Sequence, residues 1–148
     1  TRIIMHTHDM GEWESDVSEN VKCECINTGK LECFRTARLF IVPANMTGTW
    51  NWNEGTVVTL KIKQSFQKLT GELIGKEKTA KLHSLRIQGE IFTMTVRLGE
   101  KAETEAIYSG TVKDNTITGR LTIQSRYATI HKNWEAKRDP NTWVSIDR

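Results

Sequence analysis

Thr47-Gly48-Thr49-Trp50-Asn51-Trp52, followed after a short turn by Thr56-Val57-Val58-Thr59-Leu60-Lys61-Ile62-Lys63-Gln64-Ser65-Phe66-Gln67, carries the clearest strand signal in the chain. In the second segment Val58, Leu60, Ile62 and Phe66 are apolar, while Thr59, Lys61, Lys63, Ser65 and Gln67 are polar. That is the period of a strand with one face buried. Gln64 breaks the inner row. An amide where the pattern asks for a hydrocarbon marks a buried hydrogen bond or a bound partner. Asn53-Glu54-Gly55 supplies the turn between the segments.

The same grammar runs to the end of the chain. Leu69, Leu73 and Ile74 flank Gly71; Leu85, Ile87 and Ile91 surround Gln88-Gly89-Glu90; Phe92, Met94, Val96 and Leu98 alternate with polar residues. Further inner rows are Ala106, Tyr108 and Val112, then Ile117, Leu121 and Ile123, with Asp114-Asn115 turning between them. A last strand from Tyr127 to Arg138 holds Trp134 and stops at Asp139-Pro140. No window repeats apolar residues at three-and-four spacing, so helix is nearly excluded. Leu69-Thr70-Gly71-Glu72, Tyr108-Ser109-Gly110-Thr111 and Ile117-Thr118-Gly119-Arg120 form a quasi-repeat whose glycines suit sharp bends or close backbone approach. About seven or eight short antiparallel strands in meander order are what a small up-and-down barrel or strongly curled sheet requires, with a sandwich as the runner-up. The chain is therefore expected to be mainly β, with residues 46–148 as the barrel-like domain and residues 1–45 contributing two or three N-terminal strands.

The N-terminal part reads as a strand from Thr1 to His8, an acidic loop through Asp9 and Trp13, and a hairpin. Val21, Cys23 and Cys25 alternate with Lys22 and Glu24, Asn27-Thr28-Gly29 turns, and Leu31 to Val42 returns. A three-residue loop sets Cys23 opposite Cys33 on one face, where a cross-strand disulfide or a metal site is conceivable; a two-residue loop puts them on opposite faces. The odd cysteine count and the C-x-C spacing match no usual zinc pattern and favour reduced cysteines used as small hydrophobes in a reducing, cytoplasmic compartment.

A length of 148 residues suffices for a core without disulfides or metals. The net charge of +3, from 21 basic and 18 acidic residues, is interspersed and forms no basic cluster, which argues against a nucleic-acid partner. The longest apolar run, Leu39-Phe40-Ile41-Val42, has the length of a buried strand and cannot span a bilayer as a helix. Thr1 to His6 lacks the layout of a signal peptide and looks like a chain entered midway, inside a strand.

Chemistry has few candidates. His6, His8 and Asp9 cluster at the end of the first strand, where two histidines at i and i+2 could act as base or ligand, although no third metal ligand is indicated. No metal site is therefore expected. Trp50 and Trp52 share a strand face, and barrel closure could bring Trp134 to them, as a stacking floor for a ligand or as plugs of the barrel end. Asn45-Met46-Thr47 fits a glycosylation sequon, a triplet that arises easily by chance. Glycine-rich phosphate loops, G-x-S-x-G, H-E-x-x-H and paired C-x₂-C are all missing from the sequence.

Two stretches carry a resemblance. Thr1-Arg2-Ile3-Ile4-Met5-His6-Thr7-His8-Asp9-Met10-Gly11-Glu12-Trp13 resembles the fifth sheet strand and following loop of a group of bacterial class I SAM-dependent methyltransferases, with T-R-V-V followed by D-M-G-D-W. Leu39-Phe40-Ile41-Val42-Pro43-Ala44-Asn45-Met46-Thr47-Gly48-Thr49-Trp50 is similar to that group's later strand, L-W-I-V-P-A followed by G-x-W, and Leu60 to Gly71 resembles its β-rich tail, the Gln-Ser-Phe-Gln element included. The resemblance implies a C-terminal, substrate-side segment of such an enzyme, with the loop Asp9 to Trp13 beside the acceptor. S-adenosylmethionine enters by this resemblance alone, because the family's glycine-rich loop and acidic residue precede the matched region and have no counterpart here. Such a segment would not be catalytically complete by itself.

The alternative expectation is a calycin-like small-molecule-binding barrel using Trp50, Trp52 and Gln64, which requires an interior cavity. A further alternative is a small enzyme assembled as a homo-oligomer, with a site around His6 and His8 at the subunit boundary. All three give the protein a small-molecule substrate or ligand, with Trp13, Trp50, Trp52 and Gln64 as the binding candidates.

Overall fold

The structure is a computed structural model that describes residues 2–6, 17–24, 32–76, 80–101 and 103–144. It divides into two compact units, Thr1–Val42 and Pro43–Arg148. In the first, β1 (Arg2–His6), β2 (Val17–Glu24) and β3 (Glu32–Ile41) form a three-stranded antiparallel sheet in the order β1-β3-β2. Its β2–β3 register sets Cys23 opposite Cys33, the same-face alternative of the two that the hairpin allowed.

The second unit is one eight-stranded sheet in the order β6-β5-β4-β11-β10-β9-β8-β7. Its strands are β4 (Gly48–Asn53), β5 (Val57–Ser65), β6 (Lys68–Ile74), β7 (Lys81–Gln88), β8 (Ile91–Leu98), β9 (Thr104–Lys113), β10 (Thr116–Gln124) and β11 (Thr129–Arg138). A 3-10 turn, Pro140–Thr142, follows. All sequential neighbours pair antiparallel except β6 with β7, and β11 comes back to pair with β4 through Lys137↔Asn51 and Arg138↔Trp50. The sheet curls until its edge strands touch. A methyl group on Gly71 of β6 would lie 2.7 Å from Leu85 Cδ1 of β7, so the absence of a side chain there lets the seam draw in. The result is a nearly closed antiparallel barrel, the up-and-down form expected from the strand pattern.

The alternating inner residues make one continuous core. Trp50, Val58, Leu60, Phe92, Met94, Val96, Tyr108 and Ile117 are fully buried within it. Two of the three repeat glycines explain how large rings fit in so small a barrel. Phe92, Gly110, Gly119 and Trp134 stand in one row across β8, β9, β10 and β11. The glycine pair leaves space through which Phe92 and Trp134 meet over the two strands between them, ring centroids 6.3 Å apart. The inner row of β5 ends one step sooner than alternation suggests. Phe66 sits in the β5–β6 turn with φ of 52°, so the last inward position is Gln64. No helix among the described residues is long and apolar enough to cross a membrane.

Candidate functional site

The two ends of the barrel are built differently. At one end the segment from Pro43 to Thr47 is pinned beside the β5–β6, β7–β8 and β9–β10 turns. Ala44 donates its N–H to the Gly89 carbonyl at 2.7 Å. Gln64 spends its whole amide on this segment and the adjoining turn: Oε1 accepts from Met46 N–H at 2.7 Å, and Nε2 donates to the carbonyls of Ala44 and Phe66 at 3.1 and 2.8 Å. The break in the β5 pattern is thus a buried backbone tie.

Arg138 completes this closed end. It is 6% exposed, and its guanidinium carbon lies 4.7 Å from the centre of the Trp50 ring. The fork donates to four carbonyl oxygens: Asn45 O at 2.7 Å, Thr47 O at 3.0 Å, Asp114 O at 2.9 Å and Asn115 Oδ1 at 2.9 Å. One planar cation therefore fastens the crossing segment, the β9–β10 turn and the first barrel strand. Burial lowers its pKa from the ordinary arginine value. Trp50 also donates Nε1–H to Met46 O at 2.8 Å, which makes it a structural plug.

At the opposite end, where β4 turns into β5 and β8 into β9, a second polar cluster faces the core. Glu54 lies in the β4–β5 turn, two residues past Trp52. Its Oε1 accepts from Trp52 Nε1–H at 2.8 Å and from Tyr108 O–H at 2.7 Å, and its Oε2 pairs with Lys76 Nζ. Side-chain exposures of 16% for Lys76 and 20% for Glu54 separate this pair from a solvated surface bridge. Burial pushes the Glu54 carboxyl upward, but the hydrogen bonds from Lys76, Tyr108 and Trp52, with the Lys76 charge, prevail and hold it below the usual value. Burial, then the Glu54 carboxylate, raise the Tyr108 phenol well above its ordinary range, so it is a neutral donor and no base.

Aromatic rings surround this carboxylate. Trp52 and Tyr108 lie 5.5 Å apart, Trp52 and Trp134 meet edge-on at 5.6 Å, and Tyr108 and Trp134 at 5.1 Å. Lys76 Nζ is 5.7 Å from the Tyr108 ring centre. Ladder pairing between β4 and β11 involves only Lys137↔Asn51 and Arg138↔Trp50, so toward this end the two strands part and the two indoles fill the divide. Trp134 is 5% exposed, and its Nε1–H has no hydrogen-bond partner among the described residues. Toward the rim burial fades: Leu98 and Ile123 are half-buried, Ile130 is 49% exposed, and an open depression is lined by Leu98, Gly99, Glu100, Lys101, Glu103 and Thr104.

The arrangement can bind and orient; it offers no nucleophile paired with a base. Of the residues singled out from the sequence, Trp52 and Trp134 come together at the open end, whereas Trp50 and Gln64 lie at the closed end in structural roles. His6 belongs to β1, and its side chain lies outside the described residues, as do His8, Asp9 and Trp13. Glu54, Lys76, Tyr108 and Arg138 carry most of the polar geometry, and the strand pattern does not single them out as site residues. Tyr108 alone carries a signal: a phenol on an inner row needs a buried acceptor. Among the described residues no group of His, Cys, Asp and Glu is placed to hold a metal ion.

Fold and site together define a small antiparallel barrel, plugged at one end by an arginine–tryptophan pair and carrying an aromatic cage around a carboxylate at the other. No protein-family model, curated protein or solved structure matches the chain.

Proposed function

We propose that the barrel is a small-molecule-binding module that takes its ligand at the open end, over Trp52, Tyr108 and Trp134. The observation that carries this reading is the buried, unpartnered Nε1–H of Trp134 in the middle of an aromatic cluster near an exposed rim. Buried donors are rarely left without an acceptor, and an incoming ligand supplies one. From the Trp50 row to the Val96 and Ala106 row the interior is filled with buried side chains, which leaves no room for the interior cavity that a calycin-like barrel requires, so the site proposed is a shallow one at the rim. A shallow site suits a small ligand. Three of the five tryptophans, Trp50, Trp52 and Trp134, lie in the barrel, two of them at this end, and their fluorescence reports occupancy. Titration with 1-decanol, decanoate, 3-phenylpropanol and 3-phenylpropionate is expected to give saturable changes for at least one probe, abolished in Trp134→Phe. Unchanged emission with all four refutes the reading. The C-x-C spacing, which matches no usual zinc site, supports a reducing, cytoplasmic setting.

A second reading rests on the sequence resemblance alone: we infer the C-terminal part of a SAM-dependent methyltransferase, with the barrel as an appended, substrate-side domain and residues up to Val42 as a sheet of their own in the order β1-β3-β2. The described residues do not themselves fit S-adenosylmethionine. They contain no strand–loop–helix cradle, and no step of methyl transfer is assigned to them. Calorimetry with S-adenosylmethionine on the product of the full reading frame tests this, and absence of binding there refutes it.

A further inference from the structure

We infer that Glu54 occupies a subsite fitted to an outside carboxylate, and that its own side chain is a stand-in which a small carboxylic acid with an apolar body displaces. The inference rests on the reading of the barrel as a small-molecule binder and names the chemistry of that ligand. Three donors of different kinds converge on one carboxylate: the Trp52 indole and Tyr108 phenol on Oε1, and the Lys76 ammonium on Oε2. Two of them are fixed by the barrel. Trp52 on β4 is 6% exposed and Tyr108 on β9 is fully buried, with their rings in contact.

The acceptor comes from a different kind of element. Glu54 belongs to the β4–β5 turn, between exposed Asn53 and Gly55, and Gly55, with φ of 85°, would meet nothing within 4 Å even if it carried a Cβ. Rigid donors and an acceptor on a loosely surrounded turn are what a displaceable occupant needs. The turn can withdraw its carboxylate while the donors stay in place. A positively charged donor selects an anion over a neutral amide, and a phenol kept protonated adds a directional bond to it. Beside the donors, Trp52 packs against Trp134 in the apolar core, to which the half-buried Leu98 and Ile123 also belong, and Trp134 Nε1–H has no acceptor among the described residues.

Chemical rescue tests this. Melting temperatures are compared for wild type, Glu54→Ala, Glu54→Gln and Glu54→Ala/Tyr108→Phe, each with sodium propionate, propionamide or sodium chloride at equal concentration. Propionate at ten times its dissociation constant should raise the folded-to-unfolded ratio of Glu54→Ala about tenfold over chloride. Wild type should respond far less, propionamide should do nothing, and loss of the Tyr108 hydroxyl should cut the gain. If Glu54→Ala does not fold, Glu54→Gln carries the test, with propionate stabilising it more than wild type. Equal action of propionate and propionamide on the Glu54 variants overturns the inference. The two readings separate on the larger probes. Decanol and decanoate binding equally well leaves the small-molecule reading standing and removes the carboxylate subsite; propionate rescue with none of the four probes bound keeps the subsite and removes the ligand reading.

Discussion

Removing the guanidinium of Arg138 should loosen the closed end of the barrel more than any other single polar deletion. The side chain makes four hydrogen bonds of 2.7–3.0 Å to carbonyl oxygens and covers the Trp50 ring. Hydrogen bonds to a charged partner contribute about 1.5–3 kcal/mol each, and a buried cation over an indole about 2 kcal/mol. Against these stands the cost of holding a cation out of water with no ion-pair partner among the described residues, several kcal/mol per buried ion. The net of such opposing terms, when one partner is deleted and four acceptors are stranded, is about 3–5 kcal/mol. In a domain of about a hundred residues each kcal/mol moves the melting temperature by about 4–8 °C, so Arg138→Ala should melt at least about 12 °C lower. Arg138→Met separates the parts, because it keeps an unbranched apolar side chain at this position and removes every donor. Arg138→Lys restores the charge but can serve at most three of the four acceptors, and should recover only part of the loss. Urea unfolding followed by far-ultraviolet circular dichroism gives the three differences without relying on Trp50 emission. Arg138→Met within about 0.5 kcal/mol of wild type would show that desolvation cancels the hydrogen bonds, and the assignment of Arg138 as the fastening of this end would fail.

Gly119→Ala should be as damaging as a core deletion, about 3 kcal/mol or more, because the added methyl would stand 1.9 Å from Ser109 O and 2.4 Å from Gly110 Cα, backbone atoms that cannot rotate away; a melting temperature unchanged from wild type would contradict the strand spacing. Gln64→Leu strands Met46 N–H and the carbonyls of Ala44 and Phe66, and should cost about 2–4 kcal/mol with faster amide exchange at Met46; equal exchange rates in the two proteins would sink the claim. Stability should depend on pH through the open-end cluster. The Glu54 carboxyl is depressed below 4.5 in the folded state, so its contribution is complete above that pH and disappears as pH falls through the folded value. Tyr108 is raised above 10.0, so its contribution is complete below pH 10 and declines above it as only the unfolded chain ionises. Glu54→Gln should flatten the acid limb of the urea-midpoint profile, and an unaltered limb would assign acid lability elsewhere.

Much of the barrel could be read from the chain because its information is periodic. Inner rows such as Val58-Leu60-Ile62 and Phe92-Met94-Val96 state their face residue by residue, and turns such as Asp114-Asn115 state the reversals. Phe66 shows where periodicity misleads. Its hydrophobicity continues the β5 pattern, yet the turn needs a left-handed residue at that position, and backbone geometry prevails. The site was less legible. Trp52 and Trp134 were visible as aromatics on strands, but their meeting depends on how β4 and β11 part, which no local pattern encodes. Glu54 and Lys76 look like ordinary surface charges, since a carboxylate in a turn and a lysine after a strand are the commonest of residues. Only barrel closure, which lays Tyr108 of β9 against the β4–β5 turn, gives them a buried role.

The two ends solve the same physical problem with opposite signs, and the difference bears on which end can change state. Arg138 is a cation surrounded by carbonyls that belong to the barrel's own backbone and turns, so removing it from its nest would break the structure that surrounds it. Glu54 is an anion met by three side-chain donors, two of which, Trp52 and Tyr108, are held by ring packing in the barrel. A carbonyl nest loses what holds it together when its cation goes, whereas an indole and a phenol packed in the core stay and are left with unmet donors. An occupant of such a cage is exchangeable in a way that the Arg138 fork is not. The barrel is therefore anchored at its cationic end and open to substitution at its anionic one, where the residue that holds the place in the free protein sits in a turn between exposed Asn53 and Gly55.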